Sequence, residues 1–286
     1  MMIRVVAIWI LMIASVGYAA EPIVPDAIRT YKTIKEGKDL SLHIFNPGSR
    51  PPTNRCPAIV FFFGGGWKRG TPRQFYQQAR EFSEHGIVAI SAQYRVKNIH
   101  GTTPVECVKD AKSAIRWVRQ HADELRIKPN RIVSAGGSAG GHVAACTGVI
   151  EGQEEKNEDT DVSSLPNAMV LYNPVVTFRR IYAISPSDHV RGGLPPTLLF
   201  HGTADSKVPF ESVKRFTKLM KDAGNTCVLV PFDGKDHGFY NGSHFRPQNG
   251  DADFNVTMEK SIDFLTGLGF LENVKGQNQA IDNDKK

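Results

Sequence analysis

Ser138 stands in Gly136-Gly137-Ser138-Ala139-Gly140, a Gly-x-Ser-x-Gly pattern that follows the apolar run Ile132-Val133-Ser134-Ala135 and precedes a helix-compatible stretch from Gly141 to Val149. Glycines on both flanks let a chain turn sharply from strand into helix, which lifts the serine hydroxyl out of the sheet edge toward a substrate carbonyl. Serine is a weak nucleophile at neutral pH and needs a base, and the base needs an acid to orient it. Downstream, Asp205 follows the apolar run Thr197–His201, and His237 lies in the glycine-flanked loop after Thr226–Pro231. A lone aspartate there reads as an Asx turn or helix cap, and a lone loop histidine as a solvated side chain. Their order, each just past a strand, makes Ser138, Asp205 and His237 a candidate triad. Asp236 is a rival acid, but a neighbour on a turn points away from its histidine.

Ahead of the serine, Phe61-Phe62-Phe63 runs into Gly64-Gly65-Gly66-Trp67. A strand ending in glycines leaves backbone N–H groups uncovered, as acyl transfer requires where a carbonyl oxygen becomes an anion. The amide of Ala139, next to the nucleophile, is the expected second helper. No Gly-Lys-Ser/Thr follows the glycines, so a phosphate loop is excluded, and no Gly-x-Gly-x-x-Gly opens a helix here. Trp67 reads as a wall of the substrate pocket, against core packing as the alternative. His142 packs or caps at a helix start. Arg95 and Asp110 either pair behind the site or stand as separate surface charges.

These residues must be held by an alternating scaffold. Strand-length apolar runs fall at Leu40–Phe45, Ala58–Phe63, Ile87–Tyr94, Arg131–Ala135, Ala168–Tyr172, Thr197–His201 and Thr226–Pro231. Helical patterns fall between and after them at Pro72–Glu84, Pro104–Ala122, Ala139–Val149, Phe210–Ala223 and Val256–Leu268. Near-continuous apolar strands alternating with helices predict an α/β fold with a mostly parallel sheet covered on both faces. Glu151 to Ser164 reads as an exposed acidic loop, and 173–195 is too poor in apolar residues for a large cap.

The chain has 286 residues and a formal charge of +6, of which Arg4 lies in a leader-like segment, leaving +5 beyond it. Residues 1–20 have that basic residue, an apolar run from Val5 to Val16 and small residues near Ala19 and Ala20, predicting a signal peptide and export to periplasm or medium. The run is short for a membrane span, and no second one follows, so an uncleaved N-terminal anchor is the less favoured alternative. Residues 21–272 read as one catalytic domain and 273–286 as a polar frayed tail. Basic residues are scattered among acids, which disfavours nucleic acid as a partner. Cys56, Cys107, Cys146 and Cys227 show no Cys-x-x-Cys spacing, which disfavours zinc; Cys146 and Cys227 read as buried thiols, and pairing is left open.

The chain resembles the α/β-hydrolase superfamily, in particular esterases related to hormone-sensitive lipase and bacterial acetyl, feruloyl and acetylxylan esterases. The resemblance rests on Gly64-Gly65-Gly66-Trp67, Gly136-Gly137-Ser138-Ala139-Gly140-Gly141-His142, His201-Gly202-Thr203-Ala204-Asp205 with Val208-Pro209, and His237-Gly238-Phe239. It implies nucleophile, acid and base at Ser138, Asp205 and His237, oxyanion donors at Gly65, Gly66 and Ala139, no metal or cofactor, and little or no cap domain. Phe63 stands where that motif carries histidine. The implied activity is hydrolysis of short-acyl esters, acetylated carbohydrates among them, through an acyl-enzyme. A prolyl oligopeptidase type peptidase shares the triad but carries a further large domain, and a non-catalytic binding protein of this fold would have a broken triad.

Overall fold

The fold is described from a computed structural model over residues 21–34, 37–48, 55–178 and 181–272; the leader and tail expectations lie outside these described residues. The strands are β1 (Ala27–Lys32), β2 (Leu40–Phe45), β3 (Cys56–Phe62), β4 (Val88–Ala92), β5 (Ile127–Gly137), β6 (Ala168–Tyr172), β7 (Thr197–Gly202) and β8 (Cys227–Phe232). They form one sheet in the order β1-β2-β4-β3-β5-β6-β7-β8. From β4 to β8 every pairing is parallel, and β2 alone among the described strands is reversed, pairing antiparallel with β1 on one side and β4 on the other. Every residue of β4, β6 and β7 is buried although successive side chains point to opposite faces, so both faces of the sheet are covered.

The helices are α1 (Tyr76–Glu84), α2 (Lys97–His100), α3 (Pro104–Gln120), α4 (Ala139–Val149), α5 (Phe210–Asp222) and α6 (Ala252–Gly267). Thr103 and Glu106 form a capping box at the start of α3, with Pro104 in its first turn. Apart from His142, α4 is apolar or small on all sides, and it is buried over its whole length. The segment after β6 crosses near α4 as two short 3-10 turns, Tyr182–Ile184 and Pro186–Asp188.

Strand register positions the site. Phe62 pairs with Gly136, and Gly137 with Tyr172, so the loops leaving β3, β5 and β6 emerge side by side. Gly202 pairs with Phe232, and Ala204 N–H donates to the Lys235 carbonyl at 3.1 Å, which joins the loops leaving β7 and β8.

The segment from Glu151 to Ser164 departs from the simple exposed loop expected of it. Glu151, Asp159 and Asp161 are exposed, but Glu154, Glu155 and Glu158 turn inward and strap the segment to α3 and its neighbours. Glu154 accepts from Lys112 Nζ at 2.8 Å and also pairs with Arg116, which reaches Glu158 as well. Glu155 accepts from Lys32 at 2.8 Å and Arg95 at 2.7 Å. Arg95 in turn binds the fully buried Asp110 through its Nε, Nη2 and backbone N–H, so of the two readings the paired one describes them. A cavity of about 340 Å³ under this strap is lined by Lys112, Arg116, Glu154 and Arg191 among others and by no triad residue. Its cations are already ion-paired, which removes it as a candidate site.

Candidate active site

Ser138 tips the turn between β5 and α4 with φ 57° and ψ −120°, a conformation that costs a non-glycine residue about 1–3 kcal/mol. Its neighbours hold it there. The Ser138 amide donates to the Tyr172 carbonyl at 2.9 Å, and its carbonyl accepts from His142 N–H at 3.0 Å. The flanking Gly140 is fixed by close approach: a Cβ there would lie 2.0 Å from the Phe62 carbonyl oxygen. The end of β3 therefore presses directly on the elbow.

His237 Nε2 lies 2.9 Å from Ser138 Oγ, and its Nδ1 lies 2.8 Å from Asp205 Oδ2. An ionised carboxylate only accepts, so the ring proton sits on Nδ1 and Nε2 is free to take the serine proton. Asp205 Oδ1 accepts from the amides of Lys207 at 2.8 Å and Val208 at 2.9 Å, and Oδ2 accepts from Asn173 Nδ2 as well. Burial alone would raise the Asp205 carboxyl, but the bonds from His237, Val208, Asn173 and Lys207 outweigh it and hold the group well below the usual carboxylate range. Asp236, the rival acid, is exposed and instead receives the Ser206 amide at 2.7 Å, fastening the two loops together.

The glycine loop divides its amides. Gly64 N–H is committed to Gln74 Oε1 at 2.7 Å, whereas Gly65, Gly66 and Ala139 donate to no acceptor among the described residues. Gly65 has φ +125°, and a Cβ there would sit 1.9 Å from the Arg69 carbonyl oxygen, so the turn needs glycine. A Cβ on Gly64 would lie 3.2 Å from Ser138 Cβ, which measures how close this loop comes to the nucleophile. Phe63, where histidine stands in the motif it resembles, is buried, stacks on Tyr94 with ring centroids 4.2 Å apart, and accepts the Tyr94 hydroxyl on its carbonyl at 2.6 Å. The loop is thus braced from behind by packing instead of by an imidazole.

Trp67 follows the loop, half-buried, with φ 59°. Its Nε1–H donates to His142 Nδ1 at 3.2 Å, and its ring packs on Phe178 with centroids 4.9 Å apart. His142 donates from Nε2 to the Ile184 carbonyl at 2.7 Å, which fixes the neutral tautomer, and full burial pushes its pKa down to about 4 against that bond. His142 therefore anchors Trp67 and does not reach the reacting groups through its own ring nitrogens.

Sequence reasoning missed Gln74 and Asn173. Gln74 Nε2 donates to Tyr240 Oη at 3.2 Å and Asn241 Oδ1 at 2.9 Å, so one amide links the glycine loop to the loop that carries His237. Asn173 was accessible in principle, because it follows β6 at the same sheet edge as the triad. All four cysteines are free, with Cys107, Cys146 and Cys227 buried. Among the described residues no His, Cys, Asp or Glu group is placed to hold a metal ion, and no helix is long and apolar enough to cross a membrane.

A mostly parallel sheet, a strained serine elbow and a Ser–His–Asp relay at its carboxyl edge define an α/β-hydrolase. The chain belongs to the esterase/lipase group of that superfamily, whose reaction is hydrolysis of carboxylic esters. Its structure is similar to Thermogutta terrifontis esterase 2, with 45% identity, a TM-score of 0.83, and 88% of this chain matched to 98% of that one. Residues 42–178 match the BD-FAE family, and residues 167–249 match the Prolyl oligopeptidase family. A probable isoprenylcysteine alpha-carbonyl methylesterase of Arabidopsis thaliana is 28% identical over 65% of this chain and 46% of its own length. Esterase LipC of Mycobacterium tuberculosis is 27% identical over 66% of this chain and 54% of its own. The chain thus spans about half the length of the curated relatives it matches.

Proposed function

We propose that this ester hydrolase is a serine esterase of short-acyl substrates, with Ser138 as nucleophile, His237 as base and Asp205 as acid. The observation that carries the reading is the unbroken relay from Ser138 Oγ through His237 to Asp205, with contacts of 2.9 and 2.8 Å. Ser138 Oγ attacks the ester carbonyl as His237 Nε2 takes its proton, and Asp205 stabilises the imidazolium. The carbonyl oxygen, now an anion, is held by the amides of Gly65, Gly66 and Ala139. His237 returns the proton to the leaving alcohol, and the acyl group stays on Ser138. Water, activated by the same histidine, then releases the acid and restores the enzyme.

Trp67 and Phe178, braced by His142, wall the acyl side and favour a small acid. Thermogutta terrifontis esterase 2 has been solved with propionate and with butyrate bound, which supports short acids here. An acetylated sugar hydroxyl is the alcohol we favour, in keeping with the BD-FAE match. The enzyme acts outside the cytoplasm once a leader is removed near Ala19 or Ala20, and N-terminal sequencing of the processed protein tests this directly.

Turnover of p-nitrophenyl acetate, butyrate and octanoate, with Ser138→Ala as control, tests the chemistry. Rates that fall with chain length and vanish in the variant support the proposal. Cleavage of p-nitroanilides in preference to all three esters would move it to the peptidase reading.

A further inference from the structure

We propose that the oxyanion side of the site mouth selects anionic substrates: esters whose alcohol portion carries carboxylates, an O-acetylated polyuronate being the polymeric form. The inference rests on the esterase reading above and extends it to the charge of the alcohol.

Residues 40–80 and 85–105 contain no aspartate or glutamate. Arg80 pairs with Asp26, and Arg95 with Asp110. Lys68, Arg69, Arg73 and Lys97 are exposed, and none lies within ion-pair distance of a carboxylate among the described residues. The fold draws them to the oxyanion loop. The amides of Lys68 and Arg69 both donate to the Gly65 carbonyl, at 3.2 and 3.3 Å. Lys97 N–H donates to the Trp67 carbonyl at 2.9 Å, and Asn98 N–H to that of Lys68 at 3.0 Å. Arg73 belongs to the 3-10 turn that carries Gln74, the clamp on Gly64.

Among the described residues, none of the acids at this sheet edge forms an ion pair with that group. Asp233 accepts from Thr203, Asp236 from the Ser206 amide, and both belong to the loop of the base. Glu106 closes the capping box with Thr103. Asp188 sits in the 3-10 turn after β6, and Asp253, at the start of α6, pairs with Lys235. The oxyanion side of the mouth is therefore uniformly cationic, whereas the histidine side is mixed: Asp233 and Asp236 share it with Lys207, Lys235 and Arg246, whose guanidinium reaches the His237 carbonyl. Lys112 and Arg116 on α3 show the contrast, since the acidic strap neutralises them. Unpaired exposed cations beside a site concentrate and orient an anionic ligand over about one Debye length, and salt erases the effect.

The test compares O-acetylated polygalacturonate with neutral acetylated xylan and p-nitrophenyl acetate, at low and high NaCl. The expected result is a kcat/KM on polygalacturonate that falls about tenfold or more with salt while the neutral substrates change less than about twofold. The triple variant Lys68→Gln, Arg73→Gln, Lys97→Gln should weaken that salt response severalfold, Arg69 remaining, and keep wild-type turnover of p-nitrophenyl acetate, which also shows that it folds. Equal salt responses for xylan and polygalacturonate, or an unaltered response in the triple variant, would overturn the inference. So would a salt-sensitive association with phosphatidylglycerol vesicles without any preference for the polyuronate. Absence of p-nitrophenyl acetate turnover in the wild type would instead strike at the esterase reading beneath it.

Discussion

Replacing Gln74 with methionine keeps the side-chain length and removes the side-chain hydrogen bonds by which Gln74 joins the glycine loop to the histidine loop. Gln74 is 8% exposed, and its amide serves Gly64 N–H, Tyr240 Oη and Asn241 Oδ1 at 2.7, 3.2 and 2.9 Å. The substitution orphans the Gly64 amide and the Asn241 oxygen in a buried setting, at about 1–3 kcal/mol each. The Tyr240 hydroxyl can rotate to another partner and adds little. Taking the middle of that range, with some relief from water at the loop, the loss is about 3 kcal/mol. At about 2–4 °C per kcal/mol for a domain of this size, Tm should fall by about 6–12 °C. The donors of the glycine loop remain but lose their fixed aim, so kcat on p-nitrophenyl acetate should fall about tenfold with little change in KM, as for an interaction made in the transition state. Calorimetry and steady-state kinetics on one preparation read both. A Tm within about 1 °C of wild type together with an unchanged kcat would refute the argument. A lower Tm with kcat intact would reduce Gln74 to a packing residue.

Asp205→Asn should lower kcat by about 10⁴ by leaving His237 in the wrong tautomer, while Asp236→Asn stays close to wild type; parallel kinetics of the two separate the acid from its rival. Gly137→Ala would place a Cβ 2.0 Å from the Tyr240 hydroxyl oxygen and should cost about 1–3 kcal/mol with loss of activity, read by urea unfolding and p-nitrophenyl acetate turnover. His142 has its pKa depressed to about 4 by burial, so between that value and the ordinary histidine range the unfolded chain takes up a proton that the folded one refuses. Stability should therefore decline as pH falls from about 6.5 to about 4, by about 3 kcal/mol from this residue. His43 and His201, also lowered by burial, act in the same direction, so the share of His142 is the flattening that His142→Gln brings to the denaturation profile.

The central strands were legible because they are buried on both faces, and continuous apolar runs such as Ala168–Tyr172 admit few other readings. β1 escaped because it is an exposed edge whose sequence, Ala27–Lys32, alternates without a strong apolar face. β5 begins at Ile127, four residues before the apolar run, since its first residues pair across to Cys56 through charged and proline positions that mask a strand. The triad residues stood out because each follows a strand at one sheet edge, and register then brings those edges together. Gln74 did not, because a single amide in a polar stretch carries no period and no motif, and Asn173, though it follows β6 at the same edge, belongs to no motif that marks it; the role of each exists only once distant loops meet. The strap from Glu151 to Ser164 was visible as acidic sequence, and the basic stripe of α3 as Lys109, Lys112, Arg116 and Arg119. Only the fold shows that the strap's acids neutralise Lys112 and Arg116, while Arg119 binds the carbonyls of Pro129, Ser163 and Leu165.

The most direct test of Ser138 as the attacking group is covalent trapping with a p-nitrophenyl phosphate triester. Release of one equivalent of p-nitrophenol, with the phosphoryl group mapped by mass spectrometry to the peptide bearing Ser138 and absent from Ser138→Ala, is the expected result. Esterase activity that survives the reagent, or a label on any other residue, would contradict the account.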